Sequence, residues 1–386
     1  MIFTSKEIKN VRVEKFSIST SLLIRAALRK GFHCAFLPEK AIKISNRRTS
    51  HLFKGTDLPC NNTVASGLAS NKYFLRRLLK AEGLPAPRTI TLRHPAAWQN
   101  VLKSTLEFPL VVKPVKASHA NGASLNITTP EELKAAVIKA FTYVKKHNKG
   151  DRVLVEEFFT GHDLRLMVIG NQVVSTVRRE PAYIIGDGHS TIRELIKDFN
   201  NEWYSPIKYD LPLCPIPVDT EVFRCLHKQN LTLHSILPRE KKVYVRWNAN
   251  VSTGGRASDI TSKVHPNLIH LAIQVSKLSH LEIGGVDILC KDVSSPDVSA
   301  KNITILEIND SPGIDIHHFP VSGIGRDVAG AILDHIFQQN NPQQNVTDAN
   351  IEKILDDIIR TEHTLAPLLV SNTQKTFSIL DPHQTI

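Results

Sequence analysis

Gly284-Gly285-Val286-Asp287-Ile288-Leu289 and, after a polar spacer, Ile303-Thr304-Ile305-Leu306-Glu307-Ile308-Asn309-Asp310-Ser311-Pro312-Gly313 read as two short apolar strands with a few polar residues set into them. Glu307 and Asn309 are two positions apart, so on a strand their side chains share a face. If the Asp287 strand pairs alongside, two carboxylates and an amide oxygen converge. Carboxylates brought together repel, so such a cluster calls for a cation. An oxygen-only set with no Cys or His favours Mg²⁺ or Mn²⁺ over zinc. Taken singly, each acid also fits the solvent face of an edge strand; the joint pattern of Asp287, Glu307 and Asn309 is what favours a metal.

Working back from that stretch, Phe108-Pro109-Leu110-Val111-Val112-Lys113-Pro114 is a buried-type strand that ends in a lysine and opens into the small-residue loop 116–123. Lys113 at such a strand end can neutralise phosphate oxygens while loop N–H groups donate to them, or it can snorkel to solvent. Val153–Phe159 forms a further strand that runs into Gly161-His162-Asp163. A strand, a hinge and an acid offer what an adenosine needs: backbone groups in an apolar slot and a carboxylate for ribose hydroxyls. Residues 164–179 alternate around Gly170-Asn171, a hairpin signal. A capping box is expected at Thr129 and Glu132 for a long amphipathic helix to His147, and caps at Ser70 and Ser190 for helices that follow them. Lys72 falls in the first turn of the helix after Ser70, where a cation opposes the macrodipole; an anionic partner or a solvated lysine accounts for it equally.

Asp287, Glu307-x-Asn309 and Ser311-Pro312-Gly313 resemble the metal-binding end of the ATP-grasp superfamily, and residues 71–337 are similar to the ATP-grasp module of cyanophycin synthetases and bifunctional glutathione synthetases. The resemblance implies an α/β (α+β) chain with two lobes around a nucleotide cleft: a small N-terminal α/β lobe over 1–70, the ATP-grasp domain over 71–337 with its lid at about 108–155, and a linker with a short helical tail over 338–386. It implies ATP and Mg²⁺ (or Mn²⁺), with two ions expected. Lys72, Lys113 and Gly122 would lie toward the phosphates, Glu156 and the Phe158–Phe159 backbone toward adenine, and Asp163 toward the ribose. Arg165 and Arg178 would contact phosphate or acylphosphate, with ion pairs to Glu156 or Glu180 as the alternative. Arg246, Asn250, Ser252, Thr253 and Gly254, in Asn-Val-Ser-Thr-Gly-Gly, would cradle the terminal phosphate and acyl group. The chain departs from the pattern at three places. Only Gly122 remains of the lid glycines, with Ala120 where a glycine is common. Asp315 stands where cyanophycin synthetases carry an arginine. The Arg-Gly pair and lysine that relatives carry around 200–215 are missing. His317 reads as an acceptor-side residue or a buried structural histidine. The implied activity is an ADP-forming carboxylate–amine ligase on amino acids or small peptides; the alternatives are an ATP-binding protein without turnover and a ligase acting on a protein or peptide.

Composition bounds these readings. At 386 residues, 41% hydrophobic and 22% charged, the chain is globular and long enough for several lobes. Five cysteines without a CxxC pair argue against a disulfide frame or a zinc site. The opening segment is broken by Lys6, Lys9, Arg12 and Lys15, so neither a signal peptide nor a membrane span is expected and a cytoplasmic location is the default. The net charge of +11 comes from residues 1–112, which carry 19 Lys/Arg against 6 Asp/Glu. These residues are scattered with few aromatics among them, so a solvated face or a field for anionic substrates is favoured over a nucleic-acid surface. A homo-oligomer is compatible with the sequence.

Overall fold

The computed structural model describes residues 5–13, 16–117, 121–204, 212–338 and 347–360. Residues 118–120 of the small-residue loop, Ala120 included, and most of the C-terminal tail lie outside the described residues.

The N-terminal lobe packs the helix Ile18–Arg29 on an antiparallel sheet, β1 (His33–Phe36), β2 (Ala41–Ser45) and β3 (Ser50–Lys54). Its alternation is plain in β2, where Ile42 and Ile44 are buried and Lys43 is exposed. The helix Thr63–Ala69 follows the third strand. The core of this lobe is continuous with the other end of the chain: Leu23, Ile42 and Phe53 share it with Ile332, Leu333 and Phe337 of the helix Val328–Phe337, and with Ile351 and Leu355 of a helix over 348–360. Lys30 pairs with Asp334 and Arg25 with Glu352, each at 2.7 Å. Part of the N-terminal excess charge is therefore met by acids from the far end of the chain.

The next layer is the lid, β4 (Thr89–Leu92), β5 (Leu110–Pro114), β6 (Ser124–Ile127) and β7 (Val153–Glu157), in the order β4-β7-β5-β6. The helix Pro130–Lys146 covers one face through Leu133, Val137, Ala140 and Val144, a 3.6-residue apolar stripe. Only half of the expected capping box forms: Thr129 accepts the Glu132 N–H, but Glu132 turns back to the N–H and hydroxyl of Thr128. The helix Lys72–Ala81, which leads into the lid, is capped by Asn71 and not by Ser70; Asn71 is the residue with extended backbone before the first turn, and its oxygen reaches the Phe74 N–H.

β8 (His162–Ile169) and β9 (Gln172–Glu180) form the hairpin around Gly170. A small ribbon, β10 (Tyr183–Ile185) with β11 (Lys242–Tyr244), lies beside an insertion holding the helices Ile192–Glu202 and Thr220–His227. Thr191, not Ser190, caps the first of these in a complete capping box with Glu194. β12 (Arg256–Asp259), β13 (Ile283–Cys290) and β14 (Ile303–Asn309) complete a five-stranded antiparallel sheet, β12-β9-β8-β13-β14. The helix Pro266–Leu278 seals its back through Leu271, Ala272 and Val275, and the front faces the lid.

Gly254 is a point where the backbone dictates the residue. Its φ is +90°, and a Cβ there would stand 2.3 Å from Ile216 Cγ1. Gly254→Ala combines a left-handed strain with an overlap in a packed cluster, and is expected to lower unfolding free energy by roughly 2–3 kcal/mol. Urea unfolding would check this, and an unchanged midpoint would contradict it.

Candidate functional site

A cleft of about 480 Å³ lies between the lid and the central sheet, within the usual range for a small-molecule site. Its lining includes Lys72, Lys113, Glu156, Phe158, Phe159, Asp163, Arg178, Asn250, Asp287 and Glu307. The sheet registers explain the convergence. Val111 of β5 pairs with Glu156 of β7 on the lid side, and Asp287 of β13 pairs with Glu307 of β14 on the body side.

On the lid side, Lys113 Nζ reaches Glu156 Oε2 at 2.7 Å, and Arg76 makes a two-point contact with the same carboxylate at 2.7 and 3.3 Å. Arg76 also donates to the Ile305 carbonyl at 3.3 Å, so one guanidinium ties lid to body. Burial opposes ionisation of Glu156, yet Arg76 and Lys113 overcome it and bring its pKa down to about 2. Glu156 is therefore ionised and only 2% exposed. Burial lowers the Lys113 pKa, opposed by Glu156 and reinforced by Arg76 and Lys72. At the hinge, Phe158 gives its N–H to the Pro109 carbonyl. Phe158 and Phe159 themselves line the cleft.

On the body side, Asp287 takes Arg165 through both oxygens at 2.7 Å, and Arg179 Nη2 at 3.0 Å. Arg179 also holds Asp163 at 2.5 Å, so a buried guanidinium stands between two acids. Burial raises the Asp163 pKa, and nearby Asp287 adds to it, against the pull of Arg179. Asn309 places its amide 3.4 Å from Asp287 Oδ2. Lys72 Nζ bonds the Ala117 carbonyl at 2.8 Å and pairs with Glu307 at 3.0 Å. Burial of Glu307 is outweighed by Lys72, Lys113 and Arg165, which hold its carboxyl well below the usual range. Two carboxylates and an amide thus stand together, as the spacing required. Their donor types fit a hard divalent ion, but Arg165, Arg179 and Lys72 hold the oxygens that an ion would share.

The other expected site residues are placed differently. Arg165 pairs with Asp287 rather than with Glu156 or Glu180. Arg178 is exposed on the cleft wall with no ion pair among the described residues. Asn121 and Ala123 line the cleft, whereas Gly122 lies against Tyr143 and Pro114. Asn250 lines it together with Trp247, Asn248 and Ala249. Arg246, Ser252, Thr253 and Gly254 stand behind that wall: Arg246 is buried on Asp219 at 2.9 Å, and Thr253 bonds Asn248 Oδ1 at 3.0 Å. The Ser252 hydroxyl is buried without a hydrogen-bond partner. His317 is wholly buried, with Nδ1 2.8 Å from Ser175 Oγ. Asp315 accepts from Ser19 of the N-terminal lobe at 2.9 Å.

Arg76 and Arg179 escaped the sequence reading. A signal for Arg179 was present, since it shares strand parity with the buried Ser175 and Val177, while Arg178 faces the other way. Arg76 lies four residues after Lys72, on the same helix face.

Depressed folded-state pKa values at His317, its neighbour His318, Glu156 and Glu307 shape the response to acid. Burial, with Arg165 and the neighbouring His318, pushes the His317 pKa from 6.5 down to about 3. Unfolded, this ring binds a proton below pH 6.5 that the folded state refuses, so its contribution is complete above 6.5 and is lost as pH falls toward 3. Glu156, at about 2 against 4.5, adds a loss that begins below pH 4.5. The unfolding free energy read from urea titration is therefore expected to fall from pH 6.5 downward, by up to about 1.4 kcal/mol per pH unit for His317. His317→Asn should flatten the upper part of that profile, and an identical slope in the variant would contradict the assignment.

Comparison with known proteins agrees with this fold. Residues 78–190 match the family model described as "D-ala D-ala ligase C-terminus", and residues 239–336 match that described as "RimK-like ATP-grasp domain". The cyanophycin synthetase of Trichormus variabilis is 31% identical over 341 residues, which are 86% of this chain and 37% of that protein. The glutathione biosynthesis bifunctional protein GshAB of Clostridium perfringens is 30% identical over 346 residues, 87% of this chain and 43% of that one. The chain spans less than half the length of these relatives. The crystal structure of a bifunctional glutathione synthetase from Pasteurella multocida shares the fold with a TM-score of 0.60 at 22% identity, covering 84% of this chain and 45% of that one. No helix among the described residues is long and apolar enough to cross a membrane. The two matches together take in more than half of the chain, which belongs to the ATP-grasp superfamily.

Proposed function

We propose that the protein is an ADP-forming carboxylate–amine ligase acting on amino acids or small peptides. The observation that carries this reading is the meeting, in one cleft, of Lys72 and Lys113 with the Asp287–Glu307 pair, opposite the Phe158–Phe159 hinge. The names of the relatives support it: cyanophycin synthetase and a glutathione biosynthesis protein.

In this reading ATP lies with its base against the Phe158–Phe159 backbone, its ribose toward Asp163 and its phosphates toward Lys113 and Lys72. Lys113 is well suited to this because burial already disfavours its charge and phosphate oxygens restore it. Mg²⁺, as two ions, would be held by Asp287, Glu307 and Asn309 and would supply charge neutralisation at the transferred phosphoryl group. One substrate carboxylate attacks the γ-phosphorus, giving an acylphosphate and ADP; an amine then attacks the acyl carbon and inorganic phosphate leaves. Neither step needs a side-chain nucleophile, so the protein contributes position and charge. Arg178, exposed and without an ion pair among the described residues, would meet the acylphosphate oxygens with a planar fork. Asn250 forms the facing wall.

The test is phosphate release from Mg-ATP against pools of amino acids and small peptides. Release that requires both a carboxylate and an amine establishes the reaction class. ATP bound with no release in any pool would favour a protein acceptor or a binder without turnover, and absence of ATP binding would overturn the reading.

A further inference from the structure

A short helix, Thr220–His227, reaches the β6 edge of the lid. β5 and β6 pair as Leu110 with Ile127 and Val112 with Ser124, so Leu125 and Asn126 stand opposite the single residue Val111. This is a bulge, and its extra residue takes carbonyls out of the ladder. Asn126 also carries a φ of +52°. Both carbonyls find cations: Arg224 donates to Leu125 O, and Lys228 donates to Asn126 O at 2.9 Å. These two residues are four apart, on one face at the end of the helix Thr220–His227. Lys228 also reaches the Thr128 hydroxyl at 3.1 Å and Glu132 at 3.2 Å, and Arg224 approaches Glu132 at 3.8 Å.

The other end of the same helix touches the opposite wall of the cleft. Asp219 caps it by accepting the N–H groups of Glu221 and Val222, and it takes Arg246 at 2.9 Å. Arg246 directly precedes the Trp247–Asn250 wall, and Leu125 itself lines the cleft. An isolated surface ion pair contributes little. Here, charge-assisted bonds go to bulge carbonyls outside the strand ladder, and they hold the β6 edge, where Leu125 lines the cleft.

We propose that Arg224 and Lys228 are positioning residues that clamp the lid over the nucleotide cleft and tie its setting to the Trp247–Asn250 wall. The nucleotide readout rests on the ligase reading; the lid readout does not. The experiment compares wild type, Arg224→Gln/Lys228→Gln and the charge swap Glu132→Lys/Lys228→Glu by hydrogen exchange over residues 121–146 and by calorimetry with Mg-ATP. The Gln pair is expected to exchange roughly tenfold faster across β6 with the central sheet unchanged, and to bind Mg-ATP roughly tenfold more weakly. The swap should not restore either, since a carboxylate at position 228 cannot donate to the Asn126 carbonyl and a cation at position 132 faces Arg224; wild-type exchange in the swap would overturn the role of the carbonyl bonds. Unchanged exchange overturns the clamp, as does faster exchange with unchanged nucleotide affinity. Wild type that fails to bind Mg-ATP sinks the ligase reading instead, and exchange over 121–146 then decides the clamp alone.

Discussion

Glu307→Gln is expected to lower Mg-ATP-dependent turnover by about a thousandfold or more while leaving the fold intact. The glutamine keeps the shape and removes the charge. Glu307 is ionised at any working pH, because Lys72, Lys113 and Arg165 outweigh its burial, so the variant loses a full negative charge from the cleft. Three consequences follow at one place. Asp287 is left as the single carboxylate of the expected metal set, Lys72 loses its ion-pair partner at 3.0 Å, and the phosphate side of the cleft becomes more positive without becoming better organised. ATP binding should therefore survive better than phosphoryl transfer. Phosphate release measured beside a thermal melt separates the two effects. Turnover like that of wild type with Mg²⁺ present would remove Glu307 from the site, and a collapsed melt would make it a structural acid.

The second large effect is on stability. Arg76→Met is expected to cost about 3–5 kcal/mol, the range for stranding one partner of a buried ion pair. Arg76 is 6% exposed and Glu156 2%, and Met replaces two charge-assisted bonds to the carboxylate and one to the Ile305 carbonyl. Lys113 and the Thr89 hydroxyl remain on Glu156, so the variant is expected to fold. The sign of its pH dependence follows from the cause. With Arg76 absent the Glu156 carboxyl titrates higher, and the deficit against wild type should shrink as acid protonates Glu156 in both proteins. Adding Glu156→Gln to Arg76→Met should recover part of the loss. Urea unfolding at two pH values reads all of this, and a variant as stable as wild type would mean that the contact contributes nothing net.

Much of the cleft was legible before any coordinates. Lys113 at the end of an apolar strand, the two-residue step from Glu307 to Asn309, and the strand leading into Asp163 are local patterns, and strand parity turns each into a direction. Cap positions were legible only to within a residue, because Ser70-Asn71 and Ser190-Thr191 each offer two competent side chains. The choice falls on the residue with extended backbone before the first turn, which composition does not reveal. The Ser-Thr-Gly-Gly run could be recognised as a shaped loop, yet Gly254 packs toward Ile216 and Ala182, Gly255 donates to the Asn250 carbonyl, and Thr253 bonds Asn248. Only the packing shows that it buttresses the Asn250 wall from behind.

The sequence by itself determined which strands alternate, where charged residues interrupt apolar runs, and so which acids and lysines share a face. These depend on spacing along one segment. Tertiary structure alone decided the partners: Arg179 between Asp163 and Asp287, Arg76 under Glu156, and the 348–360 helix on a lobe more than 300 residues earlier in the chain. A buried charge takes whichever opposite charge the fold brings within hydrogen-bond reach, because leaving it unpaired is costly, and that proximity is set by sheet register and crossover, not by any spacing along the chain.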